Sequence, residues 1–227
     1  MTSDMTQYRK AVVAGCREVL AALEGIGHRL PEGVRLERIY MLVRDIENGC
    51  PKVEARIPIT CEKLESADFE ALAAVDFYQR SVDDLESLSD EGNILFVAKH
   101  DGEIIAGMTV ETGRATTIDC TIPLREDEAC TATVFTVSEY RGHGVTPALG
   151  CFVCRSLASA GFRRMICFVN AKNAGSLRSV EKRGYRHVGF VGGLEVFGWH
   201  WSYCLAGDAR WRYREKRWLD RREDQGT

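Results

Sequence analysis

The chain has 227 residues, of which 45% are hydrophobic and 28% charged, and this composition is typical of a soluble globular protein. The formal net charge of -3 gives no general attraction to nucleic acid, and no apolar run approaches the length of about 20 residues that a membrane span needs. The first residues lack the apolar core of a signal peptide. We therefore expect a cytoplasmic protein without nucleic-acid or membrane partners.

The chain opens with a predicted helix and strand. Residues 6–24 place apolar side chains at helical spacing, and the glycines and proline after them end the element. Residues 34–43 are rich in β-branched and aromatic side chains, which is typical of a strand. Because a segment of about fifty residues is too small to hold its own core, we expect this extension, residues 1–52, to pack on the rest of the chain.

The next stretch predicts one strand and two short helices. Residues 56–64 resemble a strand, and Pro58 favours an edge position or the start of that strand. Ser66 is a candidate N-cap for the first helix. A second helical stretch, with apolar residues at helical spacing, runs over residues 77–88.

A hairpin comes next in the chain. Residues 93–99 and 104–111 predict its two strands, because the Asp101-Gly102 pair between them is a strong short-range hairpin signal. A further extended piece covers residues 116–124.

In the second half of the chain, predicted strands alternate with predicted helices, and the chain ends in a charged tail. Predicted strands cover 131–137, 164–169, 185–191 and 195–205, and predicted helices cover 145–160 and 173–183. The tail, residues 207–227, carries nearly balanced charge around three aromatic residues, so we expect a solvated helix or coil there. The order of elements in residues 53–206 predicts a mixed sheet flanked by helices, an α/β (α+β) fold.

The most informative stretch is the glycine-rich turn between the strand at 131–137 and the helix at 145–160, with Gly142 and Gly144 at its centre. Helix N-termini have unpartnered N–H groups and the positive end of the dipole, and glycines let a diphosphate approach the backbone. The sequence contains neither GxxxxGKS/T nor GxGxxG here, which excludes a P-loop and the dinucleotide pattern. A plain tight strand-to-helix connection is the alternative.

This turn resembles the pyrophosphate loop of the GNAT superfamily of N-acetyltransferases, in which Arg or Gln is followed after two residues by Gly, and then after one by Gly or Ala. The chain has Arg141 and Gly144 in place, and Thr146 departs from the last position. A second GNAT motif matches residues 173–176 (NAGS) and 181–185 (EKRGY), in the expected order. Together the two motifs identify residues 55–205 as similar to a GNAT domain.

The resemblance implies a GNAT-like mixed, mostly antiparallel sheet with an N-terminal helix-strand extension. It also implies that acetyl-CoA binds as cosubstrate in a V-shaped gap between the parallel strands at 131–137 and 164–169. The residues implied to contact CoA are Phe135, Val137, Arg141, Gly142, His143, Gly144, Val145, Thr146 and Asn173. For Asn173 a role as helix N-cap explains the residue equally well.

In this family a free amine attacks the thioester directly, so a base and an acid are needed. The family's usual acid is a tyrosine seven residues after the asparagine, but that position here is Val180, so Tyr203 or solvent is the candidate acid. Candidate bases are Glu111 and Asp119, with Glu139 a further carboxylate near the same strands. Asp119 stands in an otherwise uncharged run, although a solvent-facing strand residue is the alternative for it.

The resemblance thus implies an N-acyltransferase that moves acetyl from acetyl-CoA to an unidentified primary amine. Two alternatives stay open: long-chain acyl transfer from an acyl carrier protein, and a non-catalytic CoA-binding module. Dimers are common in the family, so a homodimer through the aromatic last strand is a candidate assembly.

Nine cysteines are present, most of them inside apolar runs as core residues would be. Cys151 and Cys154 form a CxxC within a predicted helix, and no second CxxC or histidine pair completes a metal site. We therefore expect no metal site and interpret the pair as core residues, with a redox or metal role as the alternative.

Overall fold

The computed structural model describes residues 34–47, 49–50, 52–75, 78, 80–117, 120–196, 199–206 and 213–218. Its strands are β1 (Val34–Asp45), β2 (Thr60–Lys63), β3 (Ile94–His100), β4 (Glu103–Thr112), β5 (Arg114–Thr117), β6 (Cys120–Pro123), β7 (Glu128–Thr136), β8 (Arg164–Asn170), β9 (Arg186–Val196), β10 (Trp199–Ala206) and β11 (Tyr213–Trp218). Its helices are α1 (Phe69–Ala73), α2 (Val82–Asp90), α3 (Val145–Ser159) and α4 (Ala174–Lys182). Short 3-10 turns stand at Ser66–Asp68 and Ser138–Tyr140.

One large sheet organises the described part of the chain, with strand order β11-β10-β9-β1-β8-β7-β4-β3-β2. Neighbouring strands in this sheet pair antiparallel, except β7 and β8, which run parallel. Strands β5 and β6 form a separate hairpin. The prediction of a mixed, mostly antiparallel sheet flanked by helices is confirmed.

The N-terminal strand lies in the middle of this sheet. β1 pairs with β8 from Ile39 to Asp45 and with β9 from Val34 to Val43. Met41 and Leu42 are fully buried and point to opposite faces, so β1 supplies core on both sides. The strand predicted at 34–43 is confirmed, and the helix predicted at 6–24 lies outside the described residues. The boundary proposed at residue 52 stays a prediction.

The two faces of the sheet carry separate cores. On one face α3 and α4 cover β3, β4, β7 and β8, with Leu149 and Val153 of α3 in the main cluster. On the other face α1 and α2 pack Leu72 and Leu85 near β3 and β7, and the β5–β6 hairpin covers the neighbouring strands. Within the described ranges, no helix combines the length and the apolarity needed to cross a bilayer.

Local signals in the sequence set several element boundaries. The β3–β4 turn has Asp101 at φ 49° and Gly102 at φ 88°, the conformation that an Asp-Gly hairpin turn requires. Asn173 caps α4 by accepting a hydrogen bond from the Ser176 N–H, and Gly184 follows that helix at φ 85°. Ser66 makes no such cap, because it lies inside a 3-10 turn and the helix begins at Phe69.

Three predicted boundaries are corrected. The second helix begins at Val82, where Ser81 and Asp84 form a reciprocal capping box that fixes its start. The strand predicted at 56–64 is limited to Thr60–Lys63, which lies at the sheet edge as Pro58 indicated. The extended piece at 116–124 lies in the hairpin of β5 and β6.

The expectation of a helix or coil in the tail is wrong for Tyr213–Trp218, which form β11. This strand pairs antiparallel with β10, because the outer edge of β10 offers backbone groups that another strand can satisfy. Residues 207–212 and 219–227, including Trp211, lie outside the described residues.

Candidate functional site

A wedge-shaped gap opens between the two parallel strands. The β7–β8 ladder runs from the pair Glu128–Arg164 to the pair Thr131–Cys167 and ends there. Residues 132–136 of β7 and 168–170 of β8 continue as strands without pairing to each other. The parallel strands predicted to splay therefore do so at their carboxyl ends.

A β-bulge in β7 marks the point where the strands separate. Met108 of β4 pairs with Val134, whereas Val110 pairs with Thr131, so Thr109 stands opposite both Ala132 and Thr133. Such a bulge leaves one residue out of the ladder and bends its strand. The bulge therefore bends β7 at the point where its ladder with β8 ends.

The gap holds a cavity of about 250 Å³ between β7, β8 and α4. Its lining is mixed, since Met108, Val134 and Tyr185 contribute apolar surface and Arg183 supplies a positive charge. The other lining residues are Thr131, Ala132, Thr146, Cys167, Phe168, Val169, Asn170, Asn173, Ser176, Ser179 and Val180. A slender, mostly apolar chain with a few polar groups fits such a lining.

The closed end of the wedge is fixed by a buried ion pair. Glu128 is 1% exposed, and its carboxylate accepts hydrogen bonds from Arg164 Nη1 at 3.0 Å and the Arg125 N–H at 3.0 Å. Arg164 Nε also donates to Asp45 of β1 at 3.3 Å. These bonds join the first residues of β7 and β8 and keep the strands together there.

The open end leads to the glycine-rich turn and to the start of α3. Gly142 and Gly144 have φ values of 82° and 77°, which glycine adopts without strain. Gly144 is the N-cap of α3, no side chain caps the helix, and its first turn contains no acidic residue. The first N–H groups of a helix of 15 residues are thus left to an anion or solvent.

Polar contacts hold the turn in place. The Thr136 and Thr146 hydroxyls lie 2.5 Å apart and join the end of β7 to the first turn of α3. Arg141 Nε donates to the Thr136 carbonyl at 3.2 Å, and the Arg56 N–H donates to the His143 carbonyl at 2.7 Å. Thr146, which departs from the last position of the motif, therefore has a structural role, because its hydroxyl is hydrogen-bonded to β7.

The structure gathers most of the predicted cofactor residues at this open end. Gly142 to Thr146 form the turn and the helix start, and the Val137 N–H donates to the Ile105 carbonyl. Phe135 turns its ring to the opposite face, where it packs 5.0 Å from Tyr78. Asn173 lines the gap while its side chain caps α4, so its predicted contact with CoA stays a prediction.

Glu111 lies beside the closed end of the wedge. It pairs with Cys130 across β4 and β7, next to the last β7 residue that pairs with β8. Its carboxylate accepts a hydrogen bond from the Thr116 N–H at 2.9 Å. Burial raises the pKa of Glu111 above the usual glutamate value, although the Thr116 bond acts in the opposite direction.

None of the candidate catalytic residues that the structure describes, Glu111 included, lines the cavity in the gap. Tyr203 lies on β10, its ring over Gly192 of β9, and β9, β1 and β8 stand between β10 and β7. Glu139 is exposed on the turn after β7, beside a second cavity of about 880 Å³ near α1. Asp119 lies outside the described residues.

Sequence reasoning missed two residues that shape the site. Arg183 lines the gap from the end of α4, where its Nε donates to the Ser179 carbonyl at 3.3 Å. The signal was present, since Arg183 stands in the second motif. Arg56, which holds the glycine-rich turn through its backbone, carries no local signal, because the contact spans residues far apart in the chain.

Known proteins resemble this chain in sequence pattern and in fold. The model of the acetyltransferase (GNAT) family matches residues 59–185. No curated protein matches the chain.

Among solved structures, the chain superimposes on a GCN5-related N-acetyltransferase from Sphaerobacter thermophilus with a TM-score of 0.54 and 17% identity, covering 82% of this chain and 57% of that one. A functionally unknown conserved protein from Staphylococcus epidermidis gives a TM-score of 0.51 and 12% identity, with 76% and 65% covered. Likenesses at these identities show the fold alone. The chain spans between 57% and 66% of the length of the first structures that it matches.

Proposed function

This chain belongs to the acetyltransferase (GNAT) family, and we propose that it transfers acetyl from acetyl-CoA to a primary amine by direct attack. One observation carries the proposal: the β7–β8 ladder ends at Thr131–Cys167, and the gap beyond it leads to the uncapped start of α3. The uncapped start of α3 suits a diphosphate, and the gap suits an extended thioester arm. The two parts follow each other in the same order as these groups do in acetyl-CoA.

In the proposed complex, the CoA diphosphate lies on the backbone N–H groups of residues 142–146 at the positive end of the α3 dipole. The pantetheine arm enters the gap and pairs with the free edge of β7, as another strand would. The thioester carbonyl reaches the bulge at Ala132 and Thr133, where a backbone N–H stabilises the developing oxyanion.

Glu111 is the base of the proposal, acting through a water molecule. Its carboxylate removes a proton from the ammonium group of the acceptor, and the neutral amine attacks the thioester carbonyl carbon. A raised pKa makes this carboxylate a better base at neutral pH than an ordinary glutamate. The C–S bond then breaks, and the nitrogen gives up its second proton to solvent. The CoA thiolate takes its proton from solvent as well, because apolar Val180 occupies the position of the family's tyrosine.

Calorimetric titration with acetyl-CoA tests whether the chain binds this cosubstrate. Two matched glycine variants test whether the diphosphate lies at the glycine-rich turn. Gly142 and Gly161 both have positive φ, and neither has an atom within 4 Å of an added Cβ. Gly142→Asp places a carboxylate at the proposed diphosphate site, and we expect about 30-fold weaker binding, or about 2 kcal/mol. Gly161→Asp, at the other end of α3, is the control and leaves the Kd unchanged.

Thiol release with a panel of primary amines tests the catalytic half. We expect release of CoA thiol that depends on both acetyl-CoA and amine. Absence of binding at millimolar acetyl-CoA would overturn the whole proposal. Binding without thiol release from any amine would instead favour the non-catalytic CoA-binding module.

A further inference from the structure

Three cysteines and a buried arginine meet beside α3; we refer to Arg44, Cys50, Cys151 and Cys154 as the thiol cluster. Cys151 and Cys154 lie one helical turn apart on α3, and they are 0% and 2% exposed. Cys50 follows β1 after a turn and is only half-buried, so solvent reaches this thiol first.

The contacts within the cluster centre on Cys50. Cys50 packs against the core cluster that contains Cys154, and its thiol lies within reach of Cys154, Cys151 and Arg44. Arg44 is 6% exposed, and its Nη2 donates to the Gly49 carbonyl at 3.3 Å, which fixes the guanidinium beside Cys50. A buried cation with two thiol donors is a setting that stabilises a thiolate.

These surroundings shift the pKa of Cys50 and those of the two α3 thiols in opposite directions. The hydrogen bond from Cys154, the bond from Cys151 and the Arg44 charge lower the pKa of Cys50 to about 5, against the effect of burial. The bond to Cys50 raises the pKa of Cys154, and burial raises that of Cys151 to about 11. The contacts therefore favour the thiolate form of Cys50 and the protonated form of Cys151 and Cys154.

A metal site does not explain the cluster. In the part of the chain that the structure describes, no group of three or more His, Cys, Asp or Glu side chains has the geometry to hold a metal ion. The Arg44 charge would also repel a cation. The arrangement fits oxidation chemistry, in which a thiolate and a neighbouring thiol react in sequence.

We propose that Cys50 is a peroxide-reactive thiol whose oxidised form is resolved by Cys154. The Cys50 thiolate attacks a hydroperoxide, so that an S–O bond forms, the O–O bond breaks, and the alcohol or water leaves with a proton from solvent. The resulting sulfenic acid is attacked by the Cys154 sulfur, which loses its proton. A disulfide forms and water leaves, and the two thiols have given two electrons to the peroxide.

Cys61 provides a matched control within the same protein. It is also half-buried, but burial raises its pKa, and the charge of Arg155 acts against that effect without outweighing it. The full reduced chain is treated at neutral pH with a small excess of hydrogen peroxide, and peptide mapping by mass spectrometry follows each cysteine. We expect Cys50 to be consumed about tenfold faster than Cys61 and to appear in a disulfide with Cys154.

The variant Cys154→Ala separates the two steps. Without the resolving thiol, the Cys50 sulfenic acid accumulates and is trapped by dimedone at least about fivefold more than in the unaltered protein. Cys61→Ser leaves both the disulfide and the trapping unchanged. Consumption of Cys50 no faster than that of Cys61, or linkage of Cys50 to a cysteine other than Cys154, would overturn the proposal whether or not the variants fold.

Discussion

The two ends of the β7–β8 pair use the same strands in opposite ways. At the closed end, Glu128 to Thr131 pair with Arg164 to Cys167, and a buried ion pair joins the strands. At the open end, residues 132–136 and 168–170 have no ladder between them, and a bulge turns the β7 edge toward the gap. Backbone pairing stabilises the closed end, whereas the open end is where we propose that the ligand binds.

The difference follows from what an unpaired backbone needs. Strand N–H and C=O groups must find partners, and in the gap only water or a ligand can supply them. The open end can remain open because the closed end, together with β4 and β1 on the outer sides, holds both strands in place. Changes at each end should therefore affect different properties.

Removing the buried charge at the closed end should have the largest effect. Glu128→Gln leaves Arg164 without its buried partner, and we expect a loss of about 3 kcal/mol in the free energy of unfolding. Urea denaturation measures this loss. The Kd for acetyl-CoA of the folded variant should stay within about twofold, because the glycine-rich turn is at the other end of the strands.

Asp45→Asn is the control for that change. Asp45 contacts the same Arg164, but its side chain is 50% exposed, so the loss should be under about 1 kcal/mol. Equal losses for the two variants would show that burial of the pair does not matter.

Glu111 lies beside the last paired residues of β7, and its substitution tests the proposed chemistry. We expect Glu111→Gln to lower kcat/KM by about 100-fold, because an amide cannot take the proton. Since the base acts when deprotonated, activity should fall as the pH falls through the pKa of Glu111, which burial places above the usual range. Initial rates measured across pH should show this fall in activity at low pH, the acid limb of the profile, in the unaltered enzyme. The acid limb should be absent in the variant.

Glu103→Gln, on the same strand but exposed, should retain both the rate and the acid limb. An unchanged limb in Glu111→Gln would assign the base to another carboxylate.

The smallest effect should come from the open end itself. Thr136→Val removes the hydroxyl pair with Thr146, which is worth about 1 kcal/mol, so acetyl-CoA should bind roughly fivefold more weakly. Calorimetric titration measures the Kd for acetyl-CoA. Thr121→Val, on the exposed face of β6, is the control and should leave this Kd unchanged. If both variants bind acetyl-CoA equally, the contact does not position the turn.

Much of the fold was predictable where a local cause fixes the structure. The Asp101-Gly102 turn, the Asn173 cap and the glycine-rich turn each depend on residues a few positions apart, and the structure confirms them. The tail prediction is wrong for Tyr213–Trp218, because the conformation of this segment depends on the outer edge of β10, a partner that no local pattern shows.

The sequence by itself determined the family and the position of the glycine-rich turn, because both depend on short motifs whose backbone requirements are local. Only the tertiary structure decided that β1 enters the centre of the sheet, that Tyr203 lies four strands from β7, and that Cys50 meets the α3 thiols. These outcomes rest on contacts between distant parts of the chain, where register and burial choose the partners.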